Sequence, residues 1–383
     1  MISLSRGRTK NRFACYAGSH FFWPSLRVFL WYSWAMEQEP HILFEKRGAL
    51  GLITLNRPKA LNALTHGMCL GLAKMLALWA HDEDVKTVAI RGTGHRAFCA
   101  GGDIRAMLES SMAGTSAARK FLADEYRVNA LIGAYPKPYV ALTEGIVMGG
   151  GAGVSVHGSH RLADESLVFA MPETAIGFVT DIGATHFLSR CPGEIGTYLA
   201  LTGARIELAD TMALGLFTHA VKSSDHDALL AKLADGEKPD AAIAPYSFKP
   251  GASPLMREKS ALDVFFTAAS VEAILERLDR DGGEFAATTA ATMRAKSPSA
   301  LKFIFRCLRQ AEGKTLQECL QMEYRVAARA VMAHDFREGV RATLIDKDGR
   351  PAWRPAFLAA VSDADIAGYF ADLGSEELRF LQP

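Results

Sequence analysis

Apolar and polar positions change their rhythm along this chain. Between His41 and Asn56 the apolar and β-branched residues form two short runs, Ile42 to Glu45 and Leu50 to Asn56, which read as strands. Pro58 closes the second. From Leu61 to Ala80 apolar residues recur at helical spacing, and Val85 to Arg91 is an apolar run of the length of a buried strand. Strand, helix and strand in that order are the unit of a parallel sheet. The alternation continues through a helix over Ala117 to Gly133, a strand over Tyr139 to Glu144, a glycine-started helix over Gly149 to His157 and a strand over Arg161 to Ala163. Past residue 225 the strand signal fades. A Pro-containing, charged connector runs from Glu237 to Pro254. Val271 to Leu278, Ser299 to Gln310 and Leu316 to Met332 then each present one apolar face at helical period, with Pro298 where a helix commonly starts. The pattern predicts an α/β core over residues 36–230 and a mainly helical region over 231–383.

The first 35 residues stand apart. Arg6, Arg8, Lys10, Arg12 and Arg27 precede the first acidic residue, Glu37. Phe21 to Ala35 is rich in aromatics but too short, and too interrupted by Pro24, Ser25 and Arg27, to span a bilayer. Two readings stay open: a basic, acid-poor transit peptide, or a start set too early, with Met36 as the true one. Either way residues 1–35 are an extension outside the core.

Composition narrows the partner. The chain has 383 residues with 43 basic against 42 acidic, a balance without the basic excess that marks a nucleic-acid or membrane surface, so a small molecule is the expected partner. Cys15, Cys69, Cys99, Cys191, Cys307 and Cys319 are scattered, with no CxxC pair and no His/Cys cluster at metal spacing, and read as free, buried thiols. No metal site is expected.

Three segments carry candidate chemistry. Ala97 to Ile104 contains Gly101-Gly102-Asp103 just after a strand. Adjacent glycines let a ligand carbonyl approach backbone N–H groups, the donors suited to an oxyanion, although a simple turn has the same look. Met148 to Gly153 places three consecutive glycines where a strand gives way to a helix, which suits either close helix packing or anion binding at free N–H groups. Ala170 to Gly183 holds Glu173 and Asp181 in an apolar, glycine-punctuated stretch. A carboxylate in such surroundings has a raised pKa and serves as base or nucleophile, while the plainer reading is a turn residue and a helix cap.

Glycine pair, glycine triplet and Met171-Pro172-Glu173, in this order after a parallel-sheet start, resemble the crotonase (enoyl-CoA hydratase/isomerase) superfamily, as does Leu55-Asn56-Arg57-Pro58-Lys59-Ala60-Leu61-Asn62. The resemblance implies a crotonase-type α/β spiral of ββα repeats with a helical C-terminal region. It implies that the N–H groups of Gly102 and Gly150 form an oxyanion hole for a thioester carbonyl, and that Lys59, Ala60 and Leu61 lie along coenzyme A. Hydratases of the superfamily place one catalytic Glu two residues beyond the triplet, where this chain has Gly153. Glu173 with Asp181 eight residues on, Ser155-Val156-His157-Gly158, Glu125-Tyr126, and the stretch from Asp335 to Pro355 are similar instead to the superfamily's 3-hydroxyisobutyryl-CoA hydrolases. Thr180 and Gly183-Ala184-Thr185-His186 depart from that branch, beside Asp181.

The activity implied by the resemblance is hydrolysis of a short 3-hydroxyacyl-CoA, a step of valine breakdown. Glu173 is the expected nucleophile or water-activating base, Asp181 the group that orients the substrate hydroxyl or moves a proton to the leaving thiol, and Glu125 a substrate-pocket residue. No cofactor is expected, because the thioester is itself the activated group. The competing readings are an enoyl-CoA hydratase or isomerase and a silent CoA-binding protein. A bacterial source implies the cytoplasm and a eukaryotic one the mitochondrial matrix. The superfamily implies trimers, but the extra C-terminal helices leave the oligomeric state open. His186 and Cys99 are expected to be structural.

Overall fold

The computed structural model describes residues 41–380, so both readings of the first 35 residues, and Cys15, lie outside the described residues. Strands β1 (Ile42–Arg47) and β2 (Leu50–Leu55) pair antiparallel, Ile42 against Leu55 and Arg47 against Leu50. Helix α1 (His66–His81) follows. The chain then repeats one step three times. In each, a strand joins a large sheet, the next joins a small sheet, and a helix or turn brings the chain back. The first turn uses β3 (Thr87–Gly92), β4 (Ala97–Cys99) and helices α2 (Ile104–Met112) and α3 (Ala117–Gly133). The second uses β5 (Tyr139–Thr143), β6 (Ile146–Met148) and the one-turn helix α4 (Gly150–Gly153). The third uses β7 (His160–Ala163), β8 (Val168–Ala170) and a 3-10 turn over Glu173–Ile176.

Helices α5 (Ala184–Leu188) and α6 (Ile195–Thr202), strand β9 (Ile206–Glu207), helix α7 (Leu208–Ala213), strand β10 (His219–Val221), helices α8 (His226–Ala234) and α9 (Pro239–Ile243) and strand β11 (Ser247–Phe248) complete the core. The large sheet has the order β1-β2-β3-β5-β7-β10-β11, parallel from β2 to β10; the small one is β4-β6-β8-β9. This is the spiral of ββα repeats that the sequence leads one to expect. Side chains alternate across the large sheet. Ile53, Leu55, Val88, Ile90 and Ala141 join the main core, while Leu50, Leu52, Ala89, Val140 and Leu142 pack on the other face with leucines of α8. With both faces covered, these strands read as unbroken apolar runs.

The rest is helical: α10 (Pro254–Arg257), α11 (Lys259–Phe266), α12 (Val271–Asp281), α13 (Glu284–Arg294), α14 (Pro298–Gln310), α15 (Leu316–Ala330), α16 (His334–Val340), a π-helical segment over Arg341–Ile345 and α17 (Asp363–Phe370). α15 packs on α3 and α16 on the Glu173 turn, so the C-terminal helices close over the core. Buried Asp335 ties them to that turn. It accepts from the Ser297 hydroxyl at 2.6 Å and the Arg354 N–H at 2.7 Å, while the Ser297 N–H donates to the Thr174 carbonyl at 3.4 Å.

Three elements differ from the sequence reading. The helix expected from Leu61 starts at His66, because Pro58–Ala60 forms a 3-10 turn and Leu61 and Asn62 follow at φ 51° and 56°; Thr65 then caps α1 by accepting from the Met68 N–H. The helix expected over Gly149 to His157 lasts one turn, and the Ser155 hydroxyl bonds back to the Gly151 carbonyl at 2.8 Å. The Glu237 to Pro254 connector folds into α9 and the edge strand β11.

Candidate active site

Both glycine loops open onto one cavity of about 480 Å³, whose walls also include Glu125, Glu173, Asp181 and Ile182. Gly101 ends the first loop at φ 119° and Gly149 starts the second at φ 47°, backbone states that side chains disfavour. The two loops approach closely. A Cβ on Gly150 would overlap the Glu125 Oε1 and lie 3.3 Å from the Gly102 nitrogen, so Gly102, Gly150 and Glu125 meet at one point. No backbone carbonyl among the described residues takes the N–H of Gly102 or Gly150. The bridge between Leu64 and Gly102 runs through the Gly101 carbonyl and the Asp103 N–H, and Gly150 opens α4, where an N–H lacks an intrahelical partner. Two N–H groups without a backbone acceptor on one cavity wall can hold an oxyanion.

The sequence left packing and anion binding as alternatives for the glycine triplet. Gly150 lines the cavity with no backbone acceptor for its N–H among the described residues. Gly151 and Gly153 serve packing: a Cβ on Gly151 would overlap the Cys99 carbonyl, and one on Gly153 would sit 2.6 Å from Asn129 Nδ2 and 3.1 Å from Ile182 Cβ. The place where hydratases carry a glutamate is filled by Asn129, fully buried and with neither amide atom partnered among the described residues.

Three carboxyls crowd the cavity. Glu125 comes from α3, Glu173 from the 3-10 turn after Pro172, and Asp181 from the loop before α5, and all are more than nine-tenths buried. Oε1 of Glu125 and Oε2 of Glu173 have no hydrogen-bond partner among the described residues. Asp181 Oδ2 accepts from the buried Tyr126 hydroxyl at 2.6 Å. Burial lifts Glu125 and Glu173 well above the ordinary glutamate range, with the neighbouring Asp181 charge adding to it. Burial also pushes Asp181 up to about 7, against the Tyr126 hydrogen bond that stabilises its anion. The three therefore share protons and titrate as one cluster. They do not form a metal-holding group among the described residues.

The loop carrying Asp181 is held from behind. Glu323 of α15 accepts from the Gly183 N–H at 2.6 Å, the Thr185 N–H at 2.9 Å and the Thr185 hydroxyl at 2.6 Å. His157 Nε2 lies 2.7 Å from the Ile182 carbonyl, and burial pulls this imidazole down to about 4, so it is neutral and donates. Ile182 itself has φ 59°, a state that costs a β-branched residue about 1–3 kcal/mol.

Other expected residues fall around this centre. Lys59 and Ala60 are exposed and Leu61 half-buried; none lines the cavity, but the Leu61 carbonyl accepts from the Ala100 N–H at 3.0 Å, which puts this turn at its rim. Cys99 is a packing residue: buried, donating to the Gly101 carbonyl at 3.5 Å, its thiol pushed up to about 12 by burial. Cys69, Cys99, Cys191, Cys307 and Cys319 are free. His186 does not line the cavity. The histidine at the Asp181 loop is instead His157, which enters the sequence reading only within the Ser155 to Gly158 match.

Sequence reasoning missed four more residues. Glu323 interrupts the buried stripe of α15 formed by Cys319, Leu320, Val326 and Ala327, and a lone charge on an apolar stripe was the available signal. Asn129 likewise sits on the buried face of α3. Arg205 and Lys296 line the cavity with no ion-pair partner among the described residues, and burial pulls Lys296 below the ordinary lysine value. Nothing local in sequence distinguished these two.

The sequence profile of the enoyl-CoA hydratase/isomerase family matches residues 50–370. Among curated proteins the chain is 44% identical over 348 residues to the zebrafish (Danio rerio) protein named 3-hydroxyisobutyryl-CoA hydrolase, mitochondrial, covering 88% of this chain and 91% of that one. The human (Homo sapiens) protein of the same name is 43% identical over 352 residues, covering 88% and 90%. Among solved structures, one titled as a carnitinyl-CoA dehydratase from Mycobacterium thermoresistibile superposes with TM-score 0.85 at 42% identity, covering 89% of this chain and 99% of the other. Another, titled as an enoyl-CoA hydratase from Rhodobacter sphaeroides 2.4.1, gives 0.84 at 38% identity, covering 89% and 100%.

Proposed function

This chain belongs to the enoyl-CoA hydratase/isomerase family, and we propose that it is a thioester hydrolase converting 3-hydroxyisobutyryl-CoA into 3-hydroxyisobutyrate and free coenzyme A. The zebrafish and human relatives carry that activity in their names. The observation that carries the reading at the site is the pairing of Glu173 and Asp181 on one cavity with two free glycine N–H groups, while Asn129 fills the place of the hydratase glutamate.

The reaction needs an electrophile, a nucleophile and an acid for the leaving thiol. The N–H groups of Gly102 and Gly150 polarise the thioester carbonyl and hold the oxyanion that forms on attack. The coupled carboxyls enter the reaction with the shared proton on Asp181 and with Glu173 ionised. Glu173 then delivers the nucleophile, either as its own oxygen, giving a mixed anhydride that water opens, or as a water molecule it deprotonates. The carbon–sulfur bond breaks, and the departing thiolate takes its proton from Asp181. Glu125, beside Gly150, faces the acyl end. Lys296 and Arg205 supply unpaired positive charge on the cavity wall, suited to the phosphates of coenzyme A. Coenzyme A would then run along Lys59, Ala60 and Leu61, the turn that the family resemblance implies for it.

A second reading, addition of water across an enoyl-CoA double bond, is favoured by one observation: Glu125 reaches the same point as Gly150, so it can stand as a second carboxyl beside Glu173. Incubation with 3-hydroxyisobutyryl-CoA and crotonyl-CoA in parallel separates the two. Free thiol from the first without loss of enoyl absorbance from the second supports hydrolysis; the reverse supports hydration. No helix among the described residues is long and apolar enough to cross a membrane. The relatives named above are mitochondrial, and the mitochondrial matrix is our reading for a eukaryotic source, the cytoplasm for a bacterial one.

A further inference from the structure

Asp181 sits on a turn that its own sequence disfavours. Ile182, the next residue, is β-branched yet has φ 59°, and Gly183 follows at φ 80°. A turn of this kind persists only where its surroundings over-determine it. Here they do so from two directions. From the second turn of the spiral, His157 Nε2 donates to the Ile182 carbonyl at 2.7 Å. From the C-terminal helices, Glu323 accepts from the N–H groups of Gly183 and Thr185 and from the Thr185 hydroxyl, at 2.6, 2.9 and 2.6 Å. The space between them is full: a Cβ on Gly183 would lie 2.6 Å from Leu316 Cδ1 and 2.8 Å from His157 Nε2. Neither His157 nor Glu323 lines the cavity, so neither touches substrate. Burial pushes Glu323 up to about 8, and the three donors that favour its carboxylate against that burial all belong to this one loop.

We propose that Glu323 and His157 are positioning residues that clamp the strained 181–183 turn and thereby fix the Asp181 carboxylate where it hands its proton to the departing thiolate. The inference rests on the hydrolase reading for its kinetic consequence. It also assigns a role to helix α15: the C-terminal region is part of the catalytic apparatus through Glu323. Glutamine at 323 keeps size and burial but replaces one acceptor oxygen with an N–H group, which then opposes the loop's own N–H donors.

The test combines kinetics, hydrogen exchange and thermal midpoints on the full chain carrying Glu323→Gln, Asp181→Asn and both. Glu323→Gln is expected to lower kcat for thiol release about 10–100-fold with KM within about threefold, since displacing a catalytic group by about 1 Å costs up to about a hundredfold. In the Asp181→Asn background the same change is expected to lower kcat less than about threefold, because the group it positions is gone. Amide exchange of a peptide spanning 178–188 is expected to speed up at least about tenfold, with other core peptides unchanged. A kcat loss of equal size in both backgrounds, or unaltered exchange of that peptide, overturns the proposal. His157→Gln, whose amide N–H can still reach the Ile182 carbonyl, is expected to retain at least about a third of the wild-type kcat, whereas His157→Leu loses about tenfold or more; equal losses in the two overturn the role of His157. If the wild-type protein releases no thiol, the hydrolase reading fails, and the exchange measurement alone decides the clamp.

Discussion

Replacing Asp181 by Asn is expected to lower kcat about a hundredfold, to a residual rate that can still be measured, and to stabilise the fold, and the second effect has a calculable size. Asp181 is moved by burial from an ordinary 3.8 to about 7. At about 1.4 kcal/mol per pH unit, ionising it in the folded protein costs roughly 4 kcal/mol relative to the unfolded chain. Asn keeps an oxygen for the Tyr126 hydroxyl but buries an amide, so roughly 2–4 kcal/mol of that cost is recovered when the carboxyl is ionised. With an unfolding entropy of about 2.1 cal/mol/K per residue, this amounts to roughly 3–5 °C in Tm. The sign follows from proton binding. The folded pKa lies above the unfolded one, so the folded state holds the proton more tightly. Its stabilising contribution is complete below the unfolded pKa and is lost as pH rises through about 7. Asn has no proton to lose. Calorimetry of both proteins at pH 5.5 and pH 8.5 should therefore show the variant's lead widening by roughly 2 kcal/mol, about 2–3 °C, between the two, because about half of the loss between 3.8 and 7 is already present at the lower pH. A variant less stable at pH 8.5, or equally shifted at both, would refute the claim that Asp181 bears an uncompensated burial cost.

Other consequences can be checked independently. Thiol release should fall as pH drops below about 7, with an acid limb that belongs to the Glu125, Glu173 and Asp181 cluster as a whole, measured as kcat against pH. Lys296→Ala is expected to raise KM for a CoA thioester several-fold with little change in kcat, and to leave KM for the matching pantetheine thioester unaltered; equal effects on both would remove the phosphate role. Gly153→Ala puts a methyl group 2.6 Å from Asn129 Nδ2 and should cost about 1–3 kcal/mol in urea unfolding, whereas Gly349→Ala, with nothing within 4 Å of its Cβ but φ 64°, should cost about 1 kcal/mol.

The parts of the site that the sequence displayed are those built from local chain. Gly101-Gly102 and the glycine triplet are visible because a glycine run is expensive unless the backbone requires it; Gly151 has a close backbone approach to the Cys99 carbonyl, and Gly101 has φ 119°. Glu173 and Asp181 stood out as charges in an apolar stretch and indeed sit buried on the cavity. The alternating strands were legible because both faces of the large sheet are covered, which makes each a continuous apolar run. What stayed hidden depends on distant pairing. Glu323 lies 140 residues from Gly183, and His157 lies 25 from Ile182, so neither spacing announces the clamp. Lys296 and Arg205 reach the cavity from α13's end and the loop before β9, placements set by packing of the helical region and not by a motif. The early start predicted for α1 failed because the apolar pattern ignores two residues at positive φ.

The central claim is tested most directly by kcat for thiol release from 3-hydroxyisobutyryl-CoA, compared between the wild-type chain and Glu173→Gln. Hydrolysis through Glu173 predicts measurable release by the wild type and a loss of at least about a hundredfold in the variant, the size of effect expected when a positioned catalytic group is removed. Release that persists in the variant within about threefold of the wild type would contradict the assignment of Glu173 as the group that delivers the nucleophile.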